Sequence, residues 1–236
     1  MPRLLGWRYA SLPGDARKSF EVALHAGSTP VLAAVGLRAG RRAGESLDPA
    51  ALALTLLPPV AAGLALERPI ERRLGGMRSV GLAQIGAGAA LLLADRMPQQ
   101  RNENNVGDHL AVGLGQAIAL VPGVSRSGAA LTAGRLRGLS RPASLRLALT
   151  SAVPVTLGAA ALKSMRATRA GAHPELVGAA LAGAGAAFLS AAAVSPLVDR
   201  LEQARSYAPL AVYRIGLGAL ALATAKRGAW PPAGSA

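Results

Sequence analysis

The chain has 236 residues, of which 51% are hydrophobic, and it contains no cysteine. This apolar content excludes intrinsic disorder, and the lack of cysteine excludes disulfides and thiol chemistry. The 26 basic and 12 acidic residues leave a net charge of +14, which by itself could indicate nucleic-acid binding. The basic residues lie between apolar runs, however, and not in one tail or on one face. We therefore predict contacts with anionic lipid headgroups and no nucleic acid.

Six apolar runs follow one another along the chain, separated by polar and mostly basic loops. A helix needs about 20 apolar residues to cross a bilayer, so the runs predict about six spanning helices of an all-α, polytopic membrane protein. A soluble all-α bundle with buried, alanine-rich helices is the alternative. The six runs are Phe20–Leu37, Pro49–Leu66, Val80–Ala94, Leu145–Leu162, Leu176–Val198 and Pro209–Ala225.

A further apolar segment is broken in the middle. It predicts two short helical arms, Leu110–Val121 and Ala129–Leu136, interrupted by Pro-Gly-Val-Ser-Arg-Ser-Gly at 122–128. Neither arm is long enough to cross a bilayer alone. Pro122 has no N–H and should end the first arm. We therefore predict a re-entrant broken helix in addition to the spanning helices.

The residues of this interruption suit an anion. Gly123 and Gly128 permit the backbone angles of a tight reversal. Ser125 and Ser127 are good N-cap residues for the second arm, whose first N–H groups are left free to meet an anion. Arg126 adds a planar positive fork that suits phosphate, and an arginine at membrane depth indicates a functional site. The alternative is an ordinary polar turn with Arg126 in solvent.

The two halves of the chain are similar to each other. Ser19–Leu24 aligns with Ser144–Leu149 at an offset of 125 residues, and Ile85–Ala89 aligns with Ile215–Ala219 at an offset of 130. Three spans in each half make the second half inverted relative to the first. Inverted repeats with broken helices place a binding site near their interface.

This repeat predicts how the membrane domain is organised. We predict a single domain over 1–236, made of an incomplete first repeat at 14–108, a second repeat at 109–225 and a tail at 226–236. At the offset of 125, the first-half counterpart of residues 122–128 would fall at about positions −3 to 3, and its leading arm would lie before Met1. We therefore expect the chain to begin inside its first repeat.

The interruption also resembles a known motif. Residues 122–128, preceded by Gly115-Gln116 and followed by Gly138–Arg141, are similar to the PGxSRSG and GLSR motif of the bacterial undecaprenyl-diphosphate phosphatase family, the bacitracin-resistance type. Phe20–Gly27 is similar to the family's FDVxLHLG stretch. Ala208–Arg214 is similar to the PFAxYR stretch of its last helix.

The resemblance covers about residues 14–225 and implies a membrane enzyme with inverted repeats and re-entrant helices in the bacterial plasma membrane. It implies removal of one phosphate from undecaprenyl diphosphate, a polyprenyl diphosphate lipid, with a divalent cation, Mg²⁺ or Ca²⁺, as cofactor. It further implies that Arg126 binds the diphosphate and that the neighbouring serines contact phosphate or lie next to it. The implied catalytic residues are Ser125, Arg126 and Ser127, and the implied substrate-binding residues are Gln116, Gly123 and Gly128.

One family motif is missing from this sequence. The family carries an ExxxE pair followed by PxSSTGH, and no such combination occurs here. The resemblance assigns the metal to those glutamates, whose loss should be close to fatal for phosphoryl transfer. Glu21 and His25, four residues apart on one helical face, are the remaining candidates for metal ligands. Their alternative role is an ordinary polar pair inside the membrane.

Three functions therefore remain open for this chain. The first is an undecaprenyl-diphosphate phosphatase whose reading frame starts further upstream. The second is a catalytically impaired protein that binds polyprenyl diphosphate without cleaving it. The third is a small lipid transporter, because alternating-access folds share the inverted architecture.

Overall fold

The computed structural model describes residues 14–43, 48–170 and 177–225, and within these ranges it contains nine α-helices and no β-strand. The all-α prediction is confirmed. The helices are α1 (Gly14–Ala43), α2 (Pro49–Leu74), α3 (Met77–Asp95), α4 (Val106–Ile118), α5 (Arg126–Leu136), α6 (Arg141–Ala170), α7 (Val177–Val194), α8 (Pro196–Glu202) and α9 (Ala208–Ala225).

Four helical segments in the described ranges are long and apolar enough to cross a membrane, so the chain is a polytopic membrane protein. The remaining two predicted spans lie in α1 and α6, which have 30 residues each but do not meet the same criterion of apolar length. The number six therefore stays a prediction. The four segments are Pro49–Ile70, Met77–Asp95, Val177–Glu202 and Ala208–Ala225.

The run predicted as Leu176–Val198 is not one uninterrupted helix. α7 ends at Val194, and α8 begins at Pro196 after a single intervening residue. Pro196 has no N–H to continue the helical hydrogen bonds, and the N–H of Ser195 bonds to Ala192 O at 3.2 Å in a tighter turn. The proline therefore interrupts a segment that composition alone would make continuous.

The described chain divides into two compact units. The first contains residues 14–35 and the described part of 153–198. Inside it, α1 crosses α7 at very short range: a Cβ atom added to Gly27 would lie 2.1 Å from Ala184 O. Gly183 of α7 in turn lies against the side chains of Phe20 and Leu24. Small residues thus let these two helices approach at backbone distance.

The second unit contains residues 36–152 and the described part of 199–235. Its central pair is α3 and α9, which run antiparallel. Gly81 near the start of α3 lies against Gly218 and Leu222 of α9, whereas Gly88 lies against Ala211 and Ile215, which come earlier in α9. A Cβ atom at Gly218 would lie 2.6 Å from Gly81 O, so the two backbones are in contact.

α4 and α5 form a re-entrant hairpin in the second unit. The carboxylate of Asp108, in the first turn of α4, accepts hydrogen bonds from Arg101 at 2.9 and 3.0 Å and from Arg137 Nε at 3.0 Å. Arg137 directly follows the last residue of α5. Both ends of the hairpin therefore lie at the same end of the unit, as predicted for a segment that leaves where it entered.

A buried polar network ties the neighbouring helix ends together near the base of the hairpin. Asp95, at the end of α3, accepts hydrogen bonds from Arg141 Nε at 2.6 Å, Ser206 Oγ at 2.7 Å and the Tyr207 N–H at 2.9 Å. The fully buried Arg135 donates to the carbonyl oxygens of Leu139, Asp95 and Met97. These bonds fix where α3, α5, α6 and α9 start or end.

Candidate functional site

The interruption of the broken helix has the predicted length of seven residues, but it lies three residues earlier in the chain, at 119–125. α4 runs from Val106 to Ile118, whereas the prediction was 110–121, and α5 begins at Arg126 rather than at Ala129. The earlier start of α4 comes from a capping box between Asn105 and Asp108. Its earlier end is a tighter turn, in which the Leu120 N–H bonds to Ala117 O at 3.1 Å. Pro122 therefore follows the end of the arm and is not its terminator.

Gly123 makes the reversal, as predicted. Its backbone φ is +100°, an angle that residues other than glycine rarely adopt. A Cβ atom at this position would also lie 2.5 Å from Val80 O on α3. The loop is therefore pressed against the first turn of α3, and both constraints require glycine.

Ser125 is the N-cap residue of α5, as predicted. Its Oγ accepts the Gly128 N–H at 3.2 Å, and its carbonyl oxygen accepts the Ala129 N–H at 2.8 Å. Ser127 is not a second cap, because it is an exposed residue in the first turn of the helix. Among the described residues, the N–H groups of Arg126 and Ser127 have no acceptor. Two donors of the α5 N-terminus therefore remain available to an anion.

The prediction that Gly128 supplies backbone angles for the reversal is wrong. Gly128 lies inside α5, and its φ is not positive. A Cβ atom there would be 3.2 Å from the Cβ of Ser125 and 3.9 Å from Arg214 Nη1. Gly128 therefore keeps the first turn of α5 uncrowded and takes no part in the reversal.

Arg126 occupies the first position of α5 and is partly buried. Within the described part of the chain, its guanidinium has neither a hydrogen-bond acceptor nor an acidic partner. The positive end of the helix dipole lies at the same place. An unneutralised cation next to free N–H groups is an arrangement that favours phosphate.

Gln116 lies on the buried face of α4, with 2% of its surface exposed. Its Nε2 donates to Ser151 Oγ of α6 at 3.2 Å, and it makes no hydrogen bond to residues 122–128. Its Oε1 is buried and has no donor in the described residues. The structure thus places Gln116 between α4 and α6, and its predicted role toward substrate stays a prediction.

Arg214 of α9 also contacts the loop, although it was not predicted to be a site residue. Its Nη2 donates to Gly123 O at 2.8 Å, across 91 residues of sequence. Its Nε is buried and has no acceptor in the described part of the chain. The sequence did contain an indication, since Arg214 is a charged residue in the middle of the apolar run Pro209–Ala225.

The described residues do not fit a divalent cation. They contain no group of three or more His, Cys, Asp or Glu side chains that could hold a metal, and Mg²⁺ and Ca²⁺ require oxygen ligands such as the carboxylates of Asp and Glu. Glu21 and His25 belong to the first unit, where His25 is exposed; the side chain of Glu21 lies outside the described atoms. Glu67 and Glu71 have ExxxE spacing, but no Ser-rich turn follows them, because α2 continues to Leu74.

The chain is similar to known proteins over most of its length. The family described as "Bacitracin resistance protein BacA" matches residues 13–220. Undecaprenyl-diphosphatase of Nitrosococcus oceani is 33% identical over 93% of this chain and 87% of its own length, and that of Geobacter sulfurreducens is 32% identical over 94% and 87%. Undecaprenyl-diphosphatase 1 of Rhodospirillum rubrum is 34% identical over 97% and 86%. With a match over most of its length, the chain belongs to the BacA bacitracin resistance family.

Proposed function

We propose that the chain acts as an undecaprenyl-diphosphatase in the bacterial plasma membrane. The reaction is hydrolysis of undecaprenyl diphosphate to undecaprenyl phosphate and inorganic phosphate, which recycles the lipid carrier of cell-wall precursors. Membership of the BacA family and relatives named undecaprenyl-diphosphatase support this reaction. The apolar helices support a substrate held in a bilayer.

The observation that carries the proposal is the unneutralised Arg126 at the N-terminus of α5. Its guanidinium can bind phosphate through two parallel hydrogen bonds, and the free N–H groups of Arg126 and Ser127 add two donors. The hydroxyl of Ser127 is exposed at the same turn. Ser125 already accepts the Gly128 N–H through Oγ, but its own proton remains available to donate.

The chemistry required of these residues is charge stabilisation. Hydrolysis consumes one water molecule, whose oxygen becomes bonded to the terminal phosphorus while the bond between that phosphorus and the bridging oxygen breaks. The bridging oxygen leaves with undecaprenyl phosphate, the terminal group becomes free phosphate, and the proton of the water is released to solvent. Negative charge therefore increases on the bridging oxygen as the bond breaks. Preorganised cations and N–H groups next to that oxygen lower the barrier. In the second unit, Arg126 and the N–H groups in the first turn of α5 would stabilise this negative charge.

The divalent cation stays a proposal drawn from the family resemblance. Residues 122–128 are proline, valine, arginine, two glycines and two serines, so they contain no carboxylate, and a cation such as Arg126 repels a metal ion. The described carboxylates that are buried, Asp95 and Asp108, already accept bonds from arginines at the base of the hairpin. In the described residues, then, neutralisation of the diphosphate rests on guanidinium and N–H groups.

The test is binding of farnesyl diphosphate, a soluble analogue, to the detergent-solubilised chain. Arg126→Ala should abolish binding, and Arg126→Lys should restore it only in part, because an ammonium cannot copy the planar fork. Arg205→Ala is a matched control, since Arg205 is exposed and lies outside the hairpin. Unchanged affinity in Arg126→Ala would return the loop to an ordinary polar turn.

A second candidate is a protein that binds polyprenyl diphosphate without cleaving it, and the lack of a metal-binding set in the described residues favours it. Loss of a catalytic cation removes several kcal/mol of stabilisation, which is roughly a thousandfold in rate. This second candidate predicts little phosphate release from the 236-residue chain, whereas the proposed phosphatase predicts release. Phosphate assays with Mg²⁺, Ca²⁺ and EDTA distinguish the two. Full, EDTA-sensitive release by the 236-residue chain would show that its own residues, Glu21 and His25 first, bind the metal.

A further inference from the structure

Arg214 lies where a charge is expensive. It is the sixth residue after Ala208 in α9, a helix whose whole length is apolar enough to cross a membrane. None of the described carboxylates lies within ion-pair distance of its guanidinium. An arginine kept in a spanning helix without a counter-ion generally marks a functional site.

The guanidinium of Arg214 faces both the loop and the first turn of α5. Nη2 donates to Gly123 O at 2.8 Å. Nη1 lies 3.9 Å from the position that a Cβ of Gly128 would occupy, in the first turn of α5. The charge therefore lies beside the first turn of α5, the turn that carries the free N–H groups of Arg126 and Ser127.

The position of this charge is rigid. α9 packs at backbone distance on α3 through Gly218 and Gly81. The same α3 contacts Gly123 through Val80, so Arg214 and the loop are held against one helix. The hydrogen bond from Nη2 leaves Nη1 directed by a fixed, planar fork.

We propose that Arg214 is the second phosphate-binding cation of the site: Nη2 positions the loop through Gly123 O, and Nη1 contacts the second phosphate of the diphosphate. The inference rests on the proposed function. A terminal phosphate carries about −1.5 to −2 charges at neutral pH, and the second phosphate adds more, so one guanidinium does not neutralise the group. Two unneutralised arginines beside one loop, one from α5 and one from α9, match a diphosphate and exceed what a monophosphate requires.

The test compares two ligands on the same protein. Affinities for farnesyl diphosphate and farnesyl monophosphate are measured on the detergent-solubilised chain and on Arg214→Gln, Arg214→Lys and Arg205→Gln. Arg205 is the control, because its removal changes the net charge equally from an exposed position between α8 and α9. Taking the ratio of the two affinities cancels any general loss of folded protein.

Arg214→Gln should weaken diphosphate binding at least tenfold and monophosphate binding less than threefold. Arg214→Lys, which keeps the charge without the fork, should lie between Arg214→Gln and the unaltered chain. Equal weakening of both ligands in both Arg214 variants would mean that the residue only supports the fold, and it would overturn the inference. Arg126→Ala, measured in parallel, separates the two proposals: if it leaves diphosphate binding intact, the proposed function itself has failed.

Discussion

At the scale of single residues, the backbone of Gly123 sets the position of the loop between α4 and α5. Its positive φ and its close approach to Val80 O hold the loop against α3. Arg214 donates a hydrogen bond to the carbonyl oxygen of Gly123. Gly128, which looks equivalent in the sequence, sits in an ordinary helical turn. The two glycines therefore offer a matched pair for testing the loop.

We predict that Gly123→Ala lowers the affinity for farnesyl diphosphate at least tenfold, whereas Gly128→Ala has a smaller effect. A non-glycine residue at positive φ costs about 1–2 kcal/mol, and the added Cβ also forces the loop away from α3. At Gly128 the closest atom is the side chain of Ser125 at 3.2 Å, which can yield slightly. Equal affinities for the two variants would show that the reversal does not shape the site.

At the scale of elements, the re-entrant hairpin is closed by one carboxylate. Burial opposes ionisation of Asp108, but the hydrogen bonds from Arg101, the Asn105 N–H and Arg137 outweigh it and hold the pKa of Asp108 below its ordinary value. A carboxyl whose pKa is lower in the folded state stabilises the fold above its ordinary pKa, about 3.9, and loses that contribution as pH falls. The hairpin base is therefore acid-sensitive.

We predict that Asp108→Asn lowers the free energy of unfolding by about 2 kcal/mol at neutral pH, because charge-assisted hydrogen bonds are lost. The difference from the unaltered chain should be largest above about pH 5 and shrink below about pH 4, where the unfolded chain binds a proton at this carboxyl that the folded chain does not. Thermal unfolding of both proteins in one detergent, from about pH 3 to neutral pH, measures this difference in stability. Glu103→Gln, an exposed change in the same loop, should show no such pH-dependent gap. A gap that stays constant down to pH 3 would contradict the assignment.

At the scale of the whole molecule, small residues and not large apolar side chains make the closest contacts. Aromatic residues amount to 3% of the chain, and 28 residues are glycine. In a membrane, helix association depends on close packing, since lipid tails are as apolar as leucine. The glycines at helix crossings should therefore control stability within each unit.

Gly218 and Gly216 of α9 test this expectation. Gly218→Ala should lower the free energy of unfolding by about 1–3 kcal/mol, because its Cβ would lie 2.6 Å from Gly81 O. Gly216→Ala should be neutral or slightly stabilising, since nothing lies within 4 Å of its Cβ position and alanine favours helix. Thermal unfolding of both variants in the same detergent compares their stabilities. The same transition temperature in both would show that the α3–α9 crossing is not tightly packed.

The sequence by itself determined the features that depend on neighbouring residues. Hydrophobic runs predicted the helices, and the Pro-Gly-Val-Ser-Arg-Ser-Gly motif predicted the broken segment, its N-cap at Ser125 and the reversal at Gly123. Family membership also followed from these motifs. Helix bounds were less accurate, since the capping box at Asn105 and the break before Pro196 moved them.

The tertiary structure alone decided which distant groups meet. It closed the hairpin through Asp108 and Arg137, 29 residues apart, and brought Arg214 to Gly123 across 91 residues. It also turned Gln116 toward Ser151. No local pattern encodes these pairings, because they result from how helices pack and how far an arginine side chain reaches. Short-range backbone preferences thus set the elements, whereas packing at glycine contacts set the geometry of the charges that a diphosphate would meet.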